Sequence, residues 1–200
     1  MGVRQELKTD EVLELVEFET KYEVDESLLH PFKQLVEGLN LGKCHYVQGI
    51  DVFFTKPGRD NIFARYRKAD NDKRAEFTIK EKHTEANSIK RTETNWRVDN
   101  TDFKEIAKGA ELMGFKENTT IWKSCHIYDL KDVIAVFYSV RGEDNKMTHF
   151  IEIEVHHKLN FTEEQAWDII KKYEELFAPL GISAKKRKRK SLFEMYRKDN

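Results

Sequence analysis

The 200-residue sequence has two cysteines, three prolines and nine glycines, and no apolar run long enough to span a bilayer. Cys44 and Cys125 are too few for a disulfide framework, which excludes the small stapled secreted scaffolds and fits a reducing compartment. The opening Met1-Gly2-Val3-Arg4-Gln5-Glu6 lacks an apolar signal core, and it lacks the Ser or Thr at position six of an N-myristoylation pattern. A soluble, cytoplasmic protein without a membrane partner is expected. Charge leans neither way: 35 Lys and Arg face 36 Asp and Glu, for a net charge of −1. That balance argues against a strongly basic nucleic-acid binder. No Gly-rich phosphate loop, catalytic triad, zinc spacing or base-reading motif is visible, and no internal repeat stands out.

What is abundant is paired charge, at 36% of residues, on a background of 39% hydrophobic and 12% aromatic residues. Such a chain can bury a core of its own. Residues 1–14 read as a leader and 15–200 as a single domain. Three amphipathic helices are predicted. The first starts near Ser27, carries Leu28, Phe32, Leu35, Val36 and Leu39, and stops at Gly42. The second follows Thr101, carries Phe103, Ile106, Ala107, Ala110 and Met113, and stops at Gly114. The third opens on a capping box from Thr162 to Gln165, carries Ala166, Ile169, Ile170, Tyr173, Leu176 and Phe177, and ends at Pro179 and Gly181. Alternating segments near 15–24, 45–55, 61–69, 74–83, 88–98, 117–129, 133–141 and 147–157 read as strands joined by short polar turns. The expected class is α+β, mainly β: an antiparallel eight-stranded closed barrel or tunnel with about three flanking helices.

Strand side chains alternate faces, so parity sorts the charges. Glu17, Glu19, Lys21 and Glu23 share one face, opposite Phe18, Tyr22 and Val24. Arg65 points with Arg67, and Lys80 with Lys82 and Thr78. Arg91 points with Glu93, and Glu152 with Glu154 and His156. A sheet with one wet face gives the same pattern on any single strand. Recurrence on five strands, with acids concentrated on the first and last, also fits a charged lumen whose apolar outer faces the helices cover. Buried charges need partners, and a polyanion bridged by divalent cations would satisfy both signs.

The segment Glu17-Phe18-Glu19-Thr20-Lys21 resembles the ExExK signature of the CYTH, or triphosphate-tunnel metalloenzyme, superfamily. It is followed in order by Gln48-Gly49-Ile50-Asp51-Val52-Phe53-Phe54, Arg65-Tyr66-Arg67, Thr78-Ile79-Lys80, Arg91-Thr92-Glu93, Lys123, Ile151-Glu152-Ile153-Glu154 and Lys190-Ser191-Leu192-Phe193-Glu194. Each is similar to the corresponding family strand or closing segment. The resemblance implies a tunnel that binds a triphosphate-containing small molecule with Mg²⁺ or Mn²⁺. The reaction would be triphosphate hydrolysis, or cyclisation of ATP as in class IV adenylyl cyclases, while a non-catalytic triphosphate-binding protein is the third reading. Position by position, Glu17, Glu19, Glu152 and Glu154, with Glu93, would hold metal. Lys21, Arg65, Arg67, Lys80, Lys82, Arg91, Lys123 and Lys190 would contact phosphates. Glu17, Glu19 and Lys21 form the candidate catalytic group. Carboxylate oxygens suit such hard cations.

Two positions depart from the family pattern: Cys125 stands where an arginine is usual, and Tyr138 where an aspartate is usual. Cys125 reads as a small packed residue or as a thiol made acidic by Lys123. His156 reads as ordinary packing or as a metal or proton-transfer group. The basic run 185–190 reads as a solvated or tunnel-closing stretch, or as a patch for a 5′-triphosphate RNA end. The oligomeric state is left open.

Overall fold

A computed structural model describes residues 13–39, 44–82, 90–99, 102–156 and 161–198. Eight long strands form the barrel: β1 (Leu13–Val24), β2 (Cys44–Thr55), β3 (Ile62–Ala69), β4 (Arg74–Lys82), β5 (Lys90–Asp99), β6 (Lys116–Asp129), β7 (Val133–Arg141) and β8 (Met147–Val155). All pair antiparallel in the order β5-β4-β3-β2-β6-β7-β8-β1, and pairing of β1 with β5 closes the ring. Closure leaves these strands without a free edge. A ninth strand, β9 (Arg187–Lys188), pairs with β1 at Lys21 and Tyr22, beyond the point where β5 leaves it.

The helices are α1 (Leu29–Gly38), α2 (Phe103–Leu112), α3 (Glu163–Leu176) and the short α4 (Leu192–Tyr196). Asp25 caps a 3₁₀ turn leading into α1, and Asp102 caps α2. Thr162 and Gln165 make the expected capping box on α3. Helix α1 ends at Gly38 rather than further on, and the expected stop at Gly42 and start at Thr101 lie outside the described residues. Met113 falls past the last turn of α2 and is exposed, so it does not extend that helix's apolar stripe. Strand β1 begins at Leu13, two residues inside the stretch read as a leader; residues 1–12 lie outside the described ones, as do 83, 88, 89 and 157 at the ends of expected strands.

The apolar outer faces of the strands are covered as their parity requires. Phe18, Tyr22, Phe137, Ile151 and Ile153 pack under α1 and α3 around Phe32, Ile170 and Phe177. Val52, Phe54, Tyr66 and Phe77 pack under α2 around Ala110. A third cluster lies within the ring at one end. There Phe53, Phe63, Ile121, Val140 and Phe150 meet Leu192 and Phe193 of α4. Phe193 stacks on Phe63 with centroids 4.9 Å apart, so α4 closes that end of the tunnel with an aromatic contact.

The fourth helix is not among the three predicted, yet its start is written in the chain. The Ser191 side chain accepts from the Glu194 N–H while Glu194 accepts from the Ser191 N–H, a capping box. The preceding segment is pinned by Glu174. This buried carboxylate accepts from Arg187 at 2.6 and 2.5 Å and from the Tyr22 hydroxyl at 2.5 Å. Arg187 also stacks over the Trp167 ring at 4.5 Å. The basic run is thereby fixed along β1 at the α4 end of the barrel.

Candidate active site

The lumen holds a cavity of about 280 Å³, lined by every barrel strand and by Ser191, Leu192 and Phe193 of the closing segment. Its charged lining comprises seven bases (Lys21, Arg65, Arg67, Lys68, Lys80, Arg91 and Lys123) and five acids (Glu17, Glu19, Asp51, Glu152 and Glu154). At the end away from α4 the lining turns small and apolar, with Val47, Ala69, Ile127 and Ile134 around Gly49. Gly49 is required there: a Cβ at that position would lie 2.2 Å from the Lys68 carbonyl oxygen. Strand register brings the acids of the first and last strands together, with Glu19 directly across from Glu154 and Lys21 across from Glu152.

Ion pairs line much of the wall in separate groups. Lys21 Nζ lies 3.2 Å from Glu19 and 3.3 Å from Glu152, and Arg91 Nε donates to Glu19 at 3.0 Å. Burial works against charge on Glu19, but Lys21, Arg91 and Lys80 outweigh it and hold its carboxyl well below the usual range. Burial likewise opposes the Lys21 ammonium, and Glu19 and Glu152 overcome it, so its pKa is raised. Lys80 donates to Glu17 at 3.1 Å and touches Glu93, yet burial, with Arg65 and Arg67 nearby, leaves its pKa lowered. Arg65 donates to Glu76 at 2.9 Å, while its Nε is buried with no hydrogen-bond partner among the described residues. Such an orphaned cationic donor is costly.

Glu154 is the exception among the acids. No donor reaches it among the described residues. Burial first, and then the charges of Glu17, Glu152 and Glu19, push its carboxyl well above the usual range.

Asp51 carries a role that sequence inspection left unassigned. Its buried carboxylate takes Arg67 in a two-point grip, Nε at 2.7 Å and Nη2 at 2.9 Å. Burial opposes its ionisation, but Arg67 holds its carboxyl far below the usual range. Thr78 and Asn95 form a similar polar shelf beside Arg65: the Thr78 hydroxyl donates to the Asn95 side-chain amide oxygen at 2.6 Å and lies 3.4 Å from Arg65. The Gln48-to-Asp51 segment of β2 held the signal for Asp51. For Asn95, only its lumen parity with Arg91 and Glu93 did.

Three expected site residues lie apart from the cavity wall. Glu93 is buried behind Lys80 and does not line the cavity. Lys82 points toward α4 and donates to Glu194 at 2.8 Å. Lys190 is exposed and lines nothing, because the chain turns at Ser191 to start α4. His156 does not continue the Glu152–Glu154 face. Strand β8 stops at Val155, and the His156 ring lies 2.8 Å from the Leu130 carbonyl oxygen and 3.0 Å from Asp129. Cys125 does face the lumen, but burial raises its thiol pKa despite Lys123 and Arg67, so it is a packed thiol and not an activated one.

No family model matches the chain, and no curated protein matches it. Solved structures do. A Pyrococcus horikoshii protein shares 25% identity at a TM-score of 0.71, covering 91% of this chain and 99% of its own. A conserved hypothetical protein from Pyrococcus furiosus shares 25% identity at 0.69, covering 89% and 98%. A Hippeastrum adenylyl cyclase candidate, described as revealing a dominant triphosphatase activity, shares 12% identity at 0.61, covering 92% and 95%. At that last identity the likeness is one of fold. The architecture expected from the motifs, a closed antiparallel eight-stranded barrel, here with one added strand, is therefore one that solved structures share.

Proposed function

We propose that the chain is a divalent-metal-dependent triphosphate phosphohydrolase whose substrate lies in the lumen. The observation that carries this reading is the convergence of seven bases and five acids on one enclosed cavity. A wall of that composition recognises a ligand that is itself both highly anionic and cation-bridged. The Hippeastrum protein of this fold is a triphosphatase by its description.

The donor set fits a hard divalent cation in charge and chemistry. Glu17, Glu19, Glu152 and Glu154 offer only carboxylate oxygen, and Glu154 faces three other acids without a donor of its own. Among the described residues no three such groups are already gathered at ligand distance. Glu17, Glu19 and Glu152 are turned instead toward Lys80, Lys21 and Arg91. Those four glutamates would hold Mg²⁺ or Mn²⁺, which when bound supplies charge neutralisation and activation of water. With a triphosphate and its cation bound, Glu17, Glu19 and Glu152 would turn from Lys80, Lys21 and Arg91 to the metal, and the bases so released would contact phosphoryl oxygens.

Lys21, Arg65, Arg67, Lys80, Arg91 and Lys123 would grip the chain, and Asp51 would hold Arg67 in place for it. Fixed cations at the phosphoryl oxygens stabilise the charge that develops as the terminal group departs. In this reading Lys82 and Lys190 have no phosphate role, and Glu93 serves to place Lys80.

The test is incubation of the purified chain with inorganic triphosphate, ATP and other organic triphosphates, with Mg²⁺ or Mn²⁺ and with products resolved. Orthophosphate with the corresponding diphosphate is expected. Pyrophosphate with cyclic AMP from ATP would establish a cyclase instead. Tight binding without any product would make the protein a sequestering or sensing module.

A further inference from the structure

Inside the ring, in the aromatic cluster at the α4 end of the cavity, one buried side chain holds a cavity-lining acid and a cavity-lining base at once. Tyr138 of β7 does not line the cavity, and it is packed among Phe150, Val140 and Ile121. Its ring stacks on Phe150 at 5.3 Å. Its hydroxyl donates to Glu152 Oε2 at 3.0 Å. The Lys123 ammonium sits over the same ring, 4.5 Å from its centroid. Glu152 and Lys123 both face the cavity. The same Glu152 oxygen lies 3.3 Å from Lys21 Nζ, so the Tyr138 contact continues through Lys21 to Glu19.

We propose that Tyr138 is a positioning residue of the lumen, fixing Glu152 by its hydroxyl and Lys123 by its ring face. The proposal rests on the triphosphate and metal reading of the lumen. The two contacts have separate consequences. The hydroxyl occupies one carboxylate oxygen and so fixes the direction of the other, which is how partners behind a metal ligand set its orientation. The ring face gives Lys123 a partner that leaves its charge uncancelled. Every other base whose partners are described above is matched with a carboxylate. Lys123 therefore meets an incoming phosphoryl group without first breaking an ion pair.

The two contacts can be removed separately. Tyr138→Phe deletes the hydroxyl and keeps the ring; Tyr138→Leu deletes both. By calorimetry, Y138F is expected to weaken Mn²⁺ binding roughly tenfold, the lower end of what partners behind a metal ligand contribute. Its affinity for metal-free inorganic triphosphate should stay within about twofold, since the phosphate-side contact survives. Y138L should weaken both. A function-independent readout is the ¹H shift of the Lys123 ε-methylene in metal-free protein: moved upfield by the ring in parent and Y138F, and normal in Y138L. Unchanged Mn²⁺ affinity in Y138F, or equal loss of both affinities in Y138F and Y138L, would overturn the proposal. A parent protein that binds neither Mn²⁺ nor triphosphate would instead refute the function proposed for the lumen. The methylene shift would then decide whether the Lys123 contact exists.

Discussion

Cys125 and Tyr138 stand directly opposite each other on β6 and β7, both with lumen parity. These are the two positions at which the chain departs from the family pattern it resembles, one having lost a base and the other an acid. Register couples them, setting a neutral thiol against a neutral phenol where the pattern it resembles has an arginine and an aspartate. The neutral pair adds no net charge to the wall, and the Tyr138 side chain contacts Glu152 and Lys123.

Restoring charge one side at a time should therefore be worse than restoring both. Tyr138→Asp places a carboxylate beside Glu152 and Glu19, and Cys125→Arg buries a guanidinium opposite a neutral ring. Each single change is expected to destabilise by about 2–4 kcal/mol, as an uncompensated buried charge does. The double variant should recover at least about 1 kcal/mol relative to their sum. Urea denaturation of the four proteins measures the coupling, and strictly additive losses would show that the two sites are independent.

Parity made the lumen legible, because alternation depends only on strand identity. The charged lumen residues of β1 and β8, Glu17, Glu19, Lys21, Glu152 and Glu154, fall on the face their positions dictate, whereas Lys68 lines the cavity from the parity opposite to Arg65 and Arg67. What parity could not give was register, which turns are needed to set, so the Cys125–Tyr138 pairing was invisible. Nor could it give the far ends of long side chains: Lys82 shares parity with Lys80 but swings to Glu194 on α4. The His156 error has the same origin, since alternation says nothing about where a strand stops. The helix α4 was legible in principle, from the Ser191–Glu194 capping box. A five-residue helix has too little periodicity to be seen otherwise.

Glu154 should be a group whose function opposes stability. Its pKa is raised by burial and by Glu17, Glu152 and Glu19, so the folded state favours its neutral form. The resulting stability is complete below the ordinary value of 4.5 and is lost as pH rises through the folded pKa. At pH 7.5, above the ordinary value, the metal-free protein thus bears the cost of this buried acid. Glu154→Gln should raise its Tm by a few degrees, a gain that fades towards pH 4. The same variant should lose most of the Tm increase that Mn²⁺ gives the parent. A Tm lowered at pH 7.5, or an undiminished response to Mn²⁺, would contradict this placement of the charge.

Asp51 should behave in the opposite sense. Arg67 depresses its pKa against the effect of burial. Its contribution is therefore present above the ordinary value near 3.8 and is lost only as pH falls through the depressed folded value. Asp51→Asn keeps the size and one acceptor but removes the charge-assisted grip, at a cost of about 2 kcal/mol. With Arg67 released, triphosphate affinity should fall while Mn²⁺ affinity is retained. Isothermal calorimetry with each ligand alone separates the two effects.

The closing Lys190-Ser191-Leu192-Phe193-Glu194 segment offers a choice between two roles, phosphate contact and helix start. Lys190 is exposed and away from the cavity, whereas Ser191 and Glu194 satisfy each other's backbone N–H groups. Glu194 also anchors Lys82, and Phe193 seals the lumen against Phe63 and Phe53. Lys190→Ala should then leave triphosphate affinity within about twofold, the scale of an exposed charge. Ser191→Ala should cost about 1 kcal/mol, typical of a lost cap. Phe193→Ala should cost about 3 kcal/mol, as buried aromatic truncations do, and open the sealed end of the cavity to water. Thermal denaturation ranks the three variants, and triphosphate titration tests the ligand side. A large affinity loss in K190A with Tm unchanged would return Lys190 to the binding site and make the capping box incidental to the motif.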